Sequence, residues 1–131
     1  MQDAYAEDAT LEDLINAWHE AVNRRDLDAA RALVTDPVEV SGPRGTHSIT
    51  PQEFADWIVT SGIRLRPLSA HPVDAATMVV EQAATWPGSD AETTVATLFR
   101  ARNGALTTIR RFVSLPEALH AASPPEPGRP G

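Results

Sequence analysis

Few side chains in this chain could do chemistry, and most of them sit among apolar neighbours. Arg111 stands between Ile109 and Val113 on one face of an apolar strand. A buried guanidinium needs a carboxylate or carbonyl partner. Arg111 therefore grips an anionic or carbonyl-bearing small molecule, pairs with Glu39 or Glu81, or extends to the rim of the fold. Glu81 interrupts the run Met78-Val-Val-Glu-Gln-Ala-Ala. Inside a pocket its pKa would rise and it could act as an acid or base. Strand parity instead sets it opposite Val80 and Gln82, where it would pair with an arginine of the next strand. Gln82, on the other face, could orient a ligand through its amide. Trp18, Trp57 and Trp86 are the three tryptophans of a chain with only 5% aromatic residues. Aromatic walls with a few polar groups suit a small-molecule pocket, and they also suit an ordinary core. His47 lies in Ser41-Gly-Pro-Arg-Gly-Thr-His-Ser48. It is either a general base at an entrance or a solvated loop residue. The glycines of that loop have no Walker spacing and no following lysine, so they form no phosphate cradle. His19, His47, His71 and His120 lack metal-ligand spacing, so neither a metal nor a cofactor is expected.

Composition narrows the classes further. A chain of 131 residues with 42% apolar content supports one domain with one core. The net charge of −7, with all 11 cations arginine, argues against a nucleic-acid surface, which needs cations to neutralise phosphates. No cysteine is present, which excludes disulfides, thiol catalysis and cysteine metal sites. The acidic start, Met1 to Asp8, has no apolar segment of the signal-peptide kind. No apolar run approaches the roughly 20 residues of a membrane span. A cytoplasmic protein with no membrane or nucleic-acid partner is expected.

The elements that would position these residues begin with three capped helices. Thr10/Asp13 and Thr50/Glu53 have capping-box spacing, and Asp26 opens a second helix between them. Pro51 occupies the first helical position of the third, where its missing N–H is not needed. Leu11, Leu14, Ile15, Trp18 and Val22 make the buried stripe of the first helix, closed by Asn23-Arg24-Arg25. Leu27, Ala30, Leu33 and Val34 face inward from the second, which Pro37 ends. Phe54, Trp57 and Ile58 face inward from the third, stopped by Ser61-Gly62. One short strand, Val38 to Val40, lies between the second and third helices. Strands are predicted over Ile63–Leu68, Thr77–Trp86, Thr93–Arg102 and Leu106–Ser114, with turns at Pro87–Asp90 and Asn103-Gly104. Pro116 to Ala122 could add a short helix. The domain would span 10–122, between a flexible acidic start (1–9) and a disordered Pro-rich tail (123–131). Both faces of the Thr77 and Leu106 strands are largely apolar. Helices would cover one face and a second subunit much of the other, giving a homodimer through the sheet. A two-residue turn at Asn103-Gly104 would pair Arg111 with Ala96, and a bulged one with Val95.

This order of elements resembles the nuclear-transport-factor-2-like (NTF2-like) superfamily, with its SnoaL-like and ketosteroid-isomerase-like branches. The likeness covers Leu11 to Leu115. It rests on the run from Ala17 to Val40, on Ile49-Thr-Pro-Gln-Glu-Phe-Ala-Asp-Trp-Ile and on the hairpin Phe99-Arg-Ala-Arg-Asn-Gly-Ala-Leu. It implies an α+β cone, three helices from the N-terminal half packed on a curved antiparallel sheet. It does not fix a function, because the fold hosts isomerases, dehydratases, cyclases, epoxide hydrolases and adaptors. Where ketosteroid isomerases carry a first-helix tyrosine, this chain has Trp18. Where they carry the aspartate base it has Val40-Ser41-Gly42, and where they carry the second aspartate it has Thr94 to Leu98. That mechanism lacks its parts here. The aspartate–arginine–aspartate relay of the epoxide hydrolases and the paired histidines of scytalone dehydratase are likewise not recognisable. The expected function is binding of a small, mostly apolar organic molecule inside the cone. Its walls would be Trp18, Trp57, Val80, Gln82, Trp86 and Ile109, with Arg111 as polar anchor. The alternatives are an isomerase or polyketide cyclase using His47 or Glu81, and a non-enzymatic adaptor with a filled cone.

Overall fold

Local capping chemistry sets the helices. The computed structural model describes residues 10–42 and 45–122. The expected acidic start (1–9), the Pro-rich tail (123–131), and Pro43 and Arg44 lie outside the described residues. Helix α1 (Leu11–Arg24) opens with a reciprocal cap. Thr10 Oγ1 accepts from Asp13 N at 3.0 Å, and the Asp13 carboxylate accepts from Thr10 N at 3.1 Å. Arg25, at φ 59°, ends it in the left-handed region. Asn23, in the last turn, grips the backbone of Leu65 in both directions, at 2.7 and 2.8 Å, and so ties α1 to the sheet. Helix α2 (Leu27–Ala32) is capped by Asp26. Helix α3 (Pro51–Ser61) repeats the reciprocal cap through Thr50 and Glu53, with Pro51 at its start. Gly62 closes α3 at φ 64°, and a Cβ there would stand 2.5 Å from Pro87 Cγ. Both conformation and space demand glycine.

Six strands form one curved sheet that does not close: β1 (Val34–Gly42), β2 (Gly45–Ile49), β3 (Arg64–Asp74), β4 (Thr77–Thr85), β5 (Thr93–Arg102) and β6 (Ala105–Phe112). Their order is β2-β1-β6-β5-β4-β3. A fourth helix, α4 (Leu115–Ala122), follows β6. The α+β cone is as expected, and several details differ. The sheet is mixed rather than wholly antiparallel, because β1 pairs with β6 in parallel. Helix α2 ends at Ala32, before Pro37, and the chain enters β1 at Val34. The segment read as a loop over Ser41–Ser48 is largely β-hairpin, with Val40 opposite His47. Strand β3 runs on through Pro67 and Pro72 to Asp74, which proline permits because β3 is an edge strand.

The two faces of the sheet have separate cores. On the concave face, Ile15, Trp18, Val22, Phe54 and Ile58 of the helices meet Met78, Val80, Ala84 and Phe99 of the strands. On the outer face, Val79, Ala96 and Leu98 pack against Ala118 and Ala122 of α4. The register of the last hairpin decides which arginine faces inward. Asn103 and Gly104 both have positive φ, as a tight two-residue turn requires. An irregularity between Arg100 and Ala101 leaves Thr107 as the extra residue on β6. Arg111 therefore faces Thr97, rather than the Ala96 or Val95 that the turn signal alone suggested. The bulge lies on β6, so the shift runs opposite to the expected one. Arg110 takes the outer face, its guanidinium carbon 5.2 Å from the centre of the Phe112 ring.

Candidate functional site

A cavity of about 460 Å³ opens on the concave face of the sheet. Trp18, Phe54, Trp57, Leu65 and Ile109 make its apolar wall. The aromatic part of that wall is continuous. Phe54 stacks on Trp18 at 6.2 Å and on Trp57 at 5.9 Å between ring centres, and Phe99 meets Trp18 edge-on at 5.0 Å. The three rings that line the cavity are delivered by features legible in the chain: Trp18 by the buried stripe of α1, Phe54 and Trp57 by the turn after the Thr50 cap. The β1–β2 hairpin adds Val40 and Ile49, and exposed His47 marks the open side.

Polar groups on the cavity wall are few. Arg111 is half-buried, with no carboxylate of the described residues within ion-pair range. Its pKa is lowered by burial. Its guanidinium carbon lies over the Trp86 ring, 5.9 Å from the ring centre. Neither Glu39 nor Glu81 pairs with it. Trp18 Nε1 is buried without a hydrogen-bond partner. Both residues border the cavity, Trp18 with a buried N–H that has no partner and Arg111 with no carboxylate beside it. Glu53 also borders it, but its carboxylate accepts from Thr50 N at 2.8 Å and so serves the helix cap.

Four of the seven residues expected to form the site line this cavity: Trp18, Trp57, Ile109 and Arg111. The other three do not. Val80 borders a separate groove between α1 and β3, with Ile15 and His19. Trp86 lies beside Arg111 rather than in the wall. Gln82 faces the cone, as its parity requires, but is fully buried and spends its amide on protein groups. Its Nε2 meets His19 Nε2 at 2.7 Å, and its Oε1 accepts from Thr97 Oγ1 at 2.7 Å. His19 Nδ1 in turn lies 2.9 Å from Ile15 O, and burial lowers the pKa of this imidazole. Thr97, at the end of this chain of bonds, borders the cavity. No motif in the sequence marks it as a site residue. Alternation along β5 puts it on the Phe99 face, but only the hairpin register sets it opposite Arg111.

Glu81 lies on the outer face with Val79 and does not border the cavity. Instead of the expected arginine it meets Ser69, whose Oγ donates to Glu81 Oε1 at 3.3 Å and also lies 2.8 Å from His71 Nε2. Acid and imidazole both converge on the hydroxyl, so the acid does not orient the imidazole as a nucleophilic triad requires. Among the described residues no group of three or more acids and histidines could hold a metal. No described helix is long and apolar enough to cross a membrane.

No family model matches the chain, and no curated protein sequence matches it. Solved structures do. An NTF2-like protein of unknown function from Cytophaga hutchinsonii superposes with a TM-score of 0.72 at 14% identity, covering 86% of this chain and 96% of that one. A candidate ketosteroid isomerase from Kribbella flavida gives 0.66 at 16% identity, covering 88% and 82%. An epoxide hydrolase of M. tuberculosis described as LEH-like gives 0.65 at 15%, covering 82% and 80%. The chain thus has the fold of the NTF2-like superfamily. At these identities the likeness is one of fold alone.

Proposed function

We propose that this protein binds a small, mostly apolar organic molecule carrying a carbonyl or carboxylate group, in the cavity of the cone. One observation carries the reading: Arg111 borders an aromatic-walled cavity of about 460 Å³ with no carboxylate to pair with. A half-buried guanidinium without a carboxylate keeps donors free for an acceptor that enters the cavity. A ligand oxygen would be that acceptor. The volume falls within the range usual for small-molecule sites. Calorimetric titration with 2-naphthoate, an apolar bicyclic acid, tests this. Saturable binding is expected, weakened about 10- to 100-fold by Arg111→Leu, which removes a hydrogen bond to a charged group. The absence of binding to folded wild-type protein would sink the proposal.

An acid–base enzyme of the isomerase or cyclase kind is a second reading, and it rests on His47, a titratable side chain bordering the cavity. Glu81, on the outer face, drops out of it. Turnover lost in His47→Gln while 2-naphthoate binding persists would favour this reading. An adaptor would have a filled cone, and the cavity counts against that. Assembly as a homodimer through the outer sheet face belongs to the same proposal, although α4 already covers part of that face. Light scattering on the purified chain reads it directly.

A further inference from the structure

We infer that Thr97 is a specificity-determining acceptor in the cavity wall, held in that role by a chain of hydrogen bonds from α1. The cone would then select ligands that carry a hydroxyl or other donor beside the acceptor group taken by Arg111. This rests on the cavity being a ligand site and says which polar pattern that ligand has.

The direction of the chain follows from its fixed end. A backbone carbonyl only accepts, so His19 Nδ1, 2.9 Å from Ile15 O, carries a hydrogen. The imidazole is buried and no described carboxylate pairs with it, so it is neutral and its other nitrogen is an acceptor. Gln82 must then present its NH₂ to His19 Nε2, at 2.7 Å, and its carbonyl to Thr97, at 2.7 Å. The hydroxyl of Thr97 donates its single hydrogen to that carbonyl. Only lone pairs remain on Thr97 Oγ1. Gln82 is 0% exposed, so bulk water does not offer its amide an alternative partner. Such bonded chains polarise each other and resist reversal.

Thr97 borders the cavity, directly across the β5–β6 ladder from Arg111. One strand pair therefore presents a donor that lacks an anion beside an acceptor that has no hydrogen left to give. A ligand with an acceptor alone satisfies the first group and desolvates the second without return. A ligand with both satisfies both. A methyl ether in place of the hydroxyl should lose roughly 10- to 100-fold in affinity, the usual consequence of an unmatched buried polar group.

Two measurements test this. The first is the histidine tautomer, read from long-range ¹H–¹⁵N correlations of the uniformly labelled wild-type protein. Hydrogen on Nδ1 of His19 is expected. Hydrogen on Nε2 would turn Gln82 around, free the Thr97 proton and overturn the inference. The second is calorimetry with 2-naphthoate, its hydroxy isomers and their methyl ethers. At least one hydroxynaphthoate should exceed its own methyl ether by about 10-fold or more in wild type and in Thr97→Ser. The preference should vanish in Thr97→Val. A preference that survives Thr97→Val overturns the inference. Binding of 2-naphthoate with no preference for any hydroxy isomer also overturns it, while leaving the cavity reading intact. Failure of every naphthoate to bind removes the cavity reading and this inference together.

Discussion

The two faces of the sheet solve the same problem in opposite ways. Both are apolar, and both meet helices. On the outer face, small residues of α4 (Ala118 and Ala122) lie close against Val79, Ala96 and Leu98, and the acid on that face, Glu81, meets Ser69. On the concave face, α1 and α3 bring large rings that hold the helices off part of the strands. A cavity of about 460 Å³ remains, with an unpaired arginine on its wall. Small side chains allow close approach and complete filling; stacked aromatic rings prop a space open. The concave face thus forgoes packing that the outer face makes, while each face leaves an arginine without a carboxylate, Arg111 inside and Arg110, with its Nε buried, outside. That asymmetry is what a binding site costs a small domain.

Substitutions can break this comparison. The largest expected effect is on the rings that prop the cavity. Trp18 is 2% exposed and touches Phe54, His19 and Phe99. Trp18→Ala should cost about 3–5 kcal/mol in urea unfolding, as for other buried aromatic truncations. Trp57→Ala, at a half-buried position on the same wall, should cost clearly less. Equal costs would mean that the cavity collapses as a unit. Next comes the reverse experiment, adding bulk to each face. Ala96→Phe drives a ring into the filled outer core and should cost about 1–3 kcal/mol. Ile109→Phe projects into the cavity and should cost less than about 1 kcal/mol, while abolishing naphthoate binding. If the two cost the same, the concave face is as tightly packed as the outer one.

How far the sequence reveals this asymmetry depends on the range of the interactions. Thr10/Asp13, Asp26 and Thr50/Glu53 act within four residues, and the helices begin where those residues say. Parity along β4 separates Val80 and Gln82 from Val79 and Glu81. Strand β2 is different. Gly45, Thr46, His47 and Ser48 are exposed and polar, so no burial pattern announces a strand, and pairing with β1 alone holds it. The site was half legible for the same reason. Trp18, Trp57, Ile109 and Arg111 follow from helix stripe and strand face. Phe54 was placed in the core but not in the wall, since the void beside it is a matter of three-dimensional filling. Gln82 misled because its partner His19 is 63 positions away in the chain. Thr97 escaped notice because its role depends on a bulge at Thr107 and on that same distant histidine.

The smallest expected effect concerns that histidine and sharpens the comparison at a single group. Burial lowers the pKa of His19 in the folded state, against about 6.5 in the unfolded chain. Above that value both states hold the imidazole neutral, and the group adds no pH dependence. As the pH falls through it, the unfolded chain takes up a proton that the folded one refuses. The unfolded state then binds more protons, so stability falls with falling pH, by at most about 1.4 kcal/mol per pH unit for one group. The loss continues until the folded imidazole is protonated as well. His19→Asn removes the titrating group, while the carboxylates contribute equally to both proteins and cancel. Urea midpoints compared between about pH 7.5 and 5.5 should therefore diverge, wild type falling more steeply than the variant. Parallel curves would mean that His19 takes up its proton alike in the folded and unfolded chain, and a shallower fall of wild type would mean a charged imidazole. The concave face would then lose the buried neutral group that fixes the direction of the Gln82–Thr97 bonds.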